Sequence, residues 1–170
     1  MLKQFHYNIE EMLRDKAPLF LLLENIQDPG NLGTMLRTGE GAGVSGIIMS
    51  RDTVDLYNPK VIRSTMGSIY RVPFYYADDF AAAVHQVQQA GVSVYAAHLR
   101  GKNSYACQDY TKGTAFLIGN EGNGLREETA ELADCYIRIP MEGKVESLNA
   151  AVASSILMYE AHRQRETIEK

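Results

Sequence analysis

The segment APLFLLLENIQDPGNLGTMLRTGEGAGVSGIIMS, Ala17 to Ser50, holds a whole strand–helix–strand unit. Leu19-Phe20-Leu21-Leu22-Leu23 is an unbroken apolar run of strand length, the pattern of a strand covered on both faces. A turn follows at Gln27-Asp28-Pro29-Gly30. Asn31 is placed to cap a helix from Leu32 to Gly41, whose apolar face is Leu32, Met35 and Leu36. Gly46 to Met49 predicts a second strand.

The alternation continues outward from this unit. A helix is expected from Asn58-Pro59 to Met66, a strand over Val72–Tyr76 and a helix from Asp78 to Ala90. Strands follow at Val92–Ala97 and Thr114–Ile118, then a short helix over Arg126–Leu132 and a last strand at Cys135–Ile139. The final helix is expected from Leu148 to Arg163. Strand and helix in turn specify an α/β domain with a mostly parallel sheet flanked by helices. No linker or internal repeat divides the chain, so residues 18–170 read as one domain and Met1–Ala17 as an N-terminal extension or linker remnant.

Composition excludes several classes. With 170 residues, 45% of them hydrophobic, a domain of this size can bury roughly 70% of its unfolded surface. No apolar run nears the ~20 residues of a membrane-spanning helix. The opening MLKQFHYNIEEMLRDK carries acids and has no cleavage site, so no secretory signal is expected. A charged fraction of 22% is too low for disorder, which leaves a soluble globular domain. Cys107 and Cys135 match no zinc or redox spacing, which suits a reducing cytoplasm, and His6, His85, His98 and His162 are scattered; no metal is expected. Seventeen Lys+Arg against 21 Asp+Glu give a net charge of -4, which rules out a uniformly basic surface and leaves room for a local basic patch.

Gly41-Ala42-Gly43-Val44-Ser45-Gly46 fits the G-x-G-x-x-G string, but it follows a helix and enters a strand, the reverse of a dinucleotide site. It reads as a helix C-terminus. Gly119-Asn120-Glu121-Gly122-Asn123-Gly124 lies at the C-terminal end of an expected buried strand, where open α/β sheets bind ligands. Its glycines let backbone approach a ligand, and Glu121 is its one charge. A tight turn is the plainer reading. In the segment Ile137 to Asn149, Ser147 and Asn149 suit helix capping, although capping needs only one of them. Arg37 stands on an otherwise small and apolar helix, where a solvated arginine is the ordinary interpretation.

Together, NIQDPGNLGTMLRTGEGAG (Asn25–Gly43), FLIGNEGNGL (Phe116–Leu125) and IRIPMEGKVESLNAAVA (Ile137–Ala153) resemble the three motifs of the SPOUT-class RNA ribose 2′-O-methyltransferases, the SpoU or TrmH family. They occur in the family's order, from about Leu19 to Tyr159; Ala150-Ala151 stand where many members have Val-Ser. The resemblance implies an α/β domain with a C-terminal trefoil knot that binds S-adenosylmethionine, largely through backbone groups. By motif, the cofactor positions are Gly119, Ile139 and Leu148, with Asn120 and Met141 as neighbours. Arg37 matches the catalytic arginine, and Asn31, Glu121, Ser147 and Asn149 the other polar positions. Asn31 and Glu121 would orient Arg37 and shape the pocket; Ser147 and Asn149 would hold ribose or phosphate and help seat the cofactor. The family also implies a homodimer, consistent with a last helix ringed by Ala150, Ala151, Val152, Ala153, Ile156, Leu157 and Tyr159. The first motif is nearer the ribosomal-RNA members than the transfer-RNA wobble enzymes. A transfer-RNA enzyme and a catalytically silent RNA-binding module are the alternatives. Ribosomal members carry an RNA-binding domain before the catalytic one, so Met1–Ala17 is expected to follow such a domain in a longer protein.

Overall fold

A computed structural model of the chain describes residues 6–168; the first five residues of the expected N-terminal extension lie outside the described residues. In chain order the elements are α1 (Ile9–Met12), β1 (Leu19–Leu23), α2 (Pro29–Ala42), β2 (Gly46–Ser50), α3 (Pro59–Ser64), β3 (Phe74–Ala77) and α4 (Phe80–Gln89). They continue as β4 (Ser93–Ala97), β5 (Asn103–Ser104), β6 (Thr114–Ile118), α5 (Glu127–Ala130), β7 (Cys135–Arg138) and α6 (Ala150–Ile168). The strands form one parallel sheet in the order β3-β2-β1-β6-β4-β7-β5.

The apolar run Leu19–Leu23 is an inner strand of this sheet, beside the central β6. Leu21 lies between Ile47 on β2 and Phe116 on β6, and all five residues of β1 are buried. Leu19, Leu21 and Leu23 face α2, α3 and α6 through Leu32, Leu36, Val61 and Leu157. Phe20 and Leu22 face α1 and α4 through Ile9, Met12, Val84 and Val87. The result is three layers, helices on both faces of a parallel sheet. The part of the N-terminal extension that carries Ile9 and Met12 is thus packed onto the domain. Among the described residues no helix is long and apolar enough to cross a membrane, and no group of three His, Cys, Asp or Glu is placed to hold a metal.

Local chemistry moved several boundaries. α2 begins at Pro29 rather than Leu32, because Asp28 and not Asn31 is its cap: the Asp28 carboxylate accepts the Asn31 N–H at 2.7 Å, and Pro29 takes the first helical position. Its C-terminus ends in the left-handed conformation at Gly43 (φ 76°), as the G-x-G-x-x-G reading expected. β3 starts at Phe74 rather than Val72, since the Val72 N–H is spent on the Ser68 carbonyl (2.9 Å) below a 3₁₀ turn and Pro73 has no N–H. α6 starts at Ala150, two residues late, and runs on to Ile168. α3 and α5 are shorter than expected, and β5 was not expected at all.

The end of α6 is fastened to the start of two central strands. Arg165 donates to the carbonyls of Tyr110 (2.9 Å), Ala17 (2.8 Å) and Lys112 (2.9 Å), a guanidinium held by backbone oxygens alone. Burial lowers its pKa, but a guanidinium stays protonated throughout the working range. Arg165→Met keeps the length of the side chain and removes these donors. It is expected to lower the stability by about 2–3 kcal/mol, the scale for orphaning carbonyls that held a charged donor, read as a shift in the denaturant midpoint.

Candidate functional site

β1 and β6 are neighbours whose connections diverge: β1 leads through α2 to β2 on one side, β6 through α5 to β7 on the other. That divergence opens a crevice at their C-terminal ends, the place where parallel sheets receive ligands. A cavity of about 640 Å³ lies on the β4 and β7 side of that point, formed by the ends of β4, β6 and β7 and the segment 139–148. All five positions expected to bind cofactor, Gly119, Asn120, Ile139, Met141 and Leu148, line it, together with Glu121 and Ser147.

The glycine-rich loop is folded by its own groups. Asn120 and Gly124 exchange both backbone hydrogen bonds, at 3.1 and 2.9 Å. The Asn120 side-chain oxygen accepts from the N–H groups of Gly122 (2.9 Å) and Asn123 (3.0 Å), and its amide donates to the Asn25 carbonyl (2.8 Å). A Cβ on Gly119 would lie 2.2 Å from both the Gly124 carbon and the Leu125 nitrogen. The loop therefore closes only over a glycine, and Asn120 meets the cavity with its side chain already spent.

Below the loop, Glu24 is a buried carboxylate, 2% exposed. It accepts the Arg126 N–H (2.8 Å) and the Thr129 hydroxyl (2.5 Å), and pairs with the Arg126 guanidinium, which also pairs with Asp52. This satisfies a charge that would otherwise be costly to bury, and fixes the chain where it leaves the loop.

Glu121 joins the three motifs. Its carboxylate accepts the N–H groups of Gln27 (3.1 Å) and Asp28 (3.0 Å), at the start of α2, and the Asn31 amide (3.2 Å). The Asn31 oxygen in turn accepts from the Asn149 amide at 3.0 Å. The Asn149 oxygen caps α6 through the N–H groups of Ala151 (2.8 Å) and Val152 (3.2 Å). Partial burial raises the Glu121 pKa, but the Asp28 and Gln27 N–H groups outweigh it and hold the carboxyl below its ordinary value, as does the positive end of α2. Glu121 is thus a carboxylate fully engaged as an acceptor, ill-suited to take a proton.

Two expectations change here. Asn149 caps the last helix and Ser147 does not; Ser147 lines the cavity instead. Asn31 and Glu121 bond to one another and to Asn149, and Arg37 is not part of their cluster: it is exposed on α2, away from the cavity lining, without a hydrogen bond or ion pair to the described residues. Sequence reasoning also missed His98 and Leu99, which line the cavity from the end of β4. The signal was available, since Leu99-Arg100-Gly101 stops a strand at the sheet's ligand-binding edge.

Comparison with known proteins accords with this geometry. The model of the SpoU rRNA Methylase family matches residues 18–159. The 23S rRNA (guanosine(2553)-2′-O)-methyltransferase RlmP of Bacillus subtilis is 37% identical over 139 residues, 82% of this chain and 56% of that protein. The SpoU methyltransferase AviRb of Streptomyces viridochromogenes, solved with the cofactor AdoMet, superposes with a TM-score of 0.87 at 31% identity, over 94% of this chain and 62% of that one. A structure described as giving insight into 2-OH methylation of C/U34 on tRNA superposes with a TM-score of 0.81 at 32% identity, over 90% of this chain and 99% of that one. The chain spans roughly half to two thirds of the length of the first curated relatives it matches, 54% to 66%.

Proposed function

The chain belongs to the SpoU rRNA methylase family, and from that membership we propose that it is the catalytic domain of an S-adenosylmethionine-dependent enzyme that methylates a ribose 2′-hydroxyl of ribosomal RNA. The observation that carries the reading is the single hydrogen-bonded chain Glu121–Asn31–Asn149, which draws the three motifs together at the rim of the cavity. The cavity suits the cofactor: its glycine-rich wall leaves backbone open to a ligand, with the side chain of Asn120 turned into the loop and Gly119 offering no Cβ. Gly119, Asn120, Ile139, Met141 and Leu148 would hold it.

When bound, S-adenosylmethionine supplies a methyl group on a sulfonium, already a good leaving group, so the protein's share is alignment and activation of the ribose oxygen. Arg37 would draw in an RNA phosphate and stabilise charge developing on that oxygen; a guanidinium does not give up its proton readily enough to serve as the base. Glu121 and Asn31 position the start of α2, the helix that carries Arg37. Ser147, which lines the cavity wall, would meet ribose or phosphate.

A homodimer is part of the proposal. α6 was expected to be buried all round, yet Val152 and Tyr159 are each 48% exposed on it, an apolar face left open in one protomer. Arg37 stands apart from its own protomer's cavity, so a second copy would complete the site. The return of the chain from β7 to α6, which packs on α2 beneath the other half of the sheet, supports the trefoil knot. The cytoplasm is the compartment proposed. Transfer RNA is the second substrate reading, favoured by the tRNA-modifying structural neighbour.

The test is transfer of labelled methyl from S-adenosylmethionine to ribosomal RNA and, separately, transfer RNA, each from cells lacking the protein, with the modified ribose mapped. A 2′-O-methyl ribose in ribosomal RNA is expected. Label in transfer RNA alone would move the substrate, and cofactor binding without transfer to either would leave a silent module.

A further inference from the structure

His98 lines the cavity from the end of β4, in a position that none of the three motifs covers. Its ring stacks on Tyr136 at 5.0 Å between centroids and 25° between planes, so the imidazole is held flat. Its Nδ1 accepts the backbone N–H of Arg100 at 3.1 Å. An Nδ1 that accepts carries no proton, so the neutral ring is protonated at Nε2, and that N–H is the one donor the ring has left. The neutral form is favoured: partial burial lowers the His98 pKa, and the nearby Arg100 cation lowers it further. Nε2 has no hydrogen-bond partner among the described residues.

The surroundings of His98 differ in character from the rest of the cavity. Ala97, Leu99 and Ile137 beside it are apolar, and the imidazole, backed by Tyr136, is itself a flat surface in the lining. Of the charged lining residues, Glu121 lies in the glycine-rich loop and Arg138 ends β7, while Glu142 and Glu146 belong to the segment beyond it. A flat, apolar end with a single donor suits a purine nucleoside, whose ring nitrogens and ribose oxygens accept hydrogen bonds. A charged end suits a zwitterionic amino acid.

We infer that His98 is a cofactor-binding residue whose Nε2–H donates to the adenosine part of S-adenosylmethionine; the inference rests on the cofactor reading of the cavity given above. The ring discriminates for an adenine nucleoside by one placed donor, and takes no part in methyl transfer.

Two substitutions separate this role from a structural one. His98→Asn keeps an acceptor that can take the Arg100 N–H in the same i to i+2 turn and loses the Nε2 position. His98→Gln carries an amide N–H out to that position. Titration calorimetry with S-adenosylhomocysteine and with adenosine alone is the measurement, alongside the melting temperature of each variant. His98→Asn is expected to weaken both ligands by about tenfold, the worth of one hydrogen bond, with unchanged melting, and His98→Gln to recover most of that loss. Unchanged affinity in His98→Asn overturns the inference, as does an equal loss in both variants accompanied by lower melting temperatures. Failure of the unsubstituted chain to bind S-adenosylhomocysteine is a different result: it overturns the cofactor reading of the cavity, and this inference with it.

Discussion

Arg37→Ala is expected to cost the methyl-transfer reaction a factor of at least ~100 while cofactor affinity, melting temperature and oligomeric state stay as they were. The side chain is exposed on α2 and holds nothing in place within its own protomer, so its removal leaves no cavity and orphans no partner. The loss would come from the transition state, where one preorganised cationic donor to a developing oxyanion is worth about a hundredfold or more. Arg37→Lys should recover little, because a single ammonium cannot present the paired N–H groups of the guanidinium fork to phosphate and ribose oxygen together. The measurement is single-turnover methylation of a competent RNA, with cofactor binding measured separately. Full activity in the alanine variant would return Arg37 to an ordinary surface arginine.

Gly119→Ala is expected to be nearly as severe by another route. The added carbon would fall 2.2 Å from the Gly124 carbon and the Leu125 nitrogen, and both are backbone, so no rotamer change relieves it. The turn between Asn120 and Gly124 must open, and with it moves the Glu121 carboxylate that holds the start of α2. A displacement of about 1 Å at such a site can cost about a hundredfold in rate, and a loss of that order is expected together with weakened S-adenosylhomocysteine binding. Gly122→Ala is the control, since a Cβ there comes no nearer than 3.6 Å to the Asn120 side chain. Equal behaviour of the two variants would show that the turn tolerates side chains and that the crowding at Gly119 has no functional weight.

What could be read before the structure was known depended on how local the signal was. β1 and β6 were legible to the residue because each is a five-residue run buried on both faces, a pattern that needs no partner to recognise. The start of α2 was misread because Asp28 and Asn31 are both capping residues three positions apart, and only Pro29 decides between them. β5 has two residues and exists by pairing with Ile137 and Arg138 on β7, information carried by no stretch of its own sequence. The cavity lining was legible at Gly119, Ile139 and Leu148 through motif resemblance, whereas His98 lies between motifs and enters only because β4 ends beside β6 and β7. The roles of Asn31 and Glu121 were half legible. Glu121 lines the cavity and Asn31 bonds to it, but their mutual bond crosses 90 positions, and spacing along the chain cannot show which polar groups will meet.

That same bond, with the Asn149–Asn31 bond across 118 positions, has a bearing on when the domain matures on the ribosome. Each contact closes a loop comparable in length to a small domain, whose entropic cost is met only once the sheet is built. Asn149 caps the last helix, and that helix must leave the exit tunnel before it can dock on α2. A nascent chain that has already paired β2 with β1 and β3 still lacks both Glu121 and Asn149. Emergence of α6 and assembly of the polar cluster therefore coincide, and a molecule made only as far as β7 has Glu121 and Asn31 without the Asn149 that joins them to the last helix.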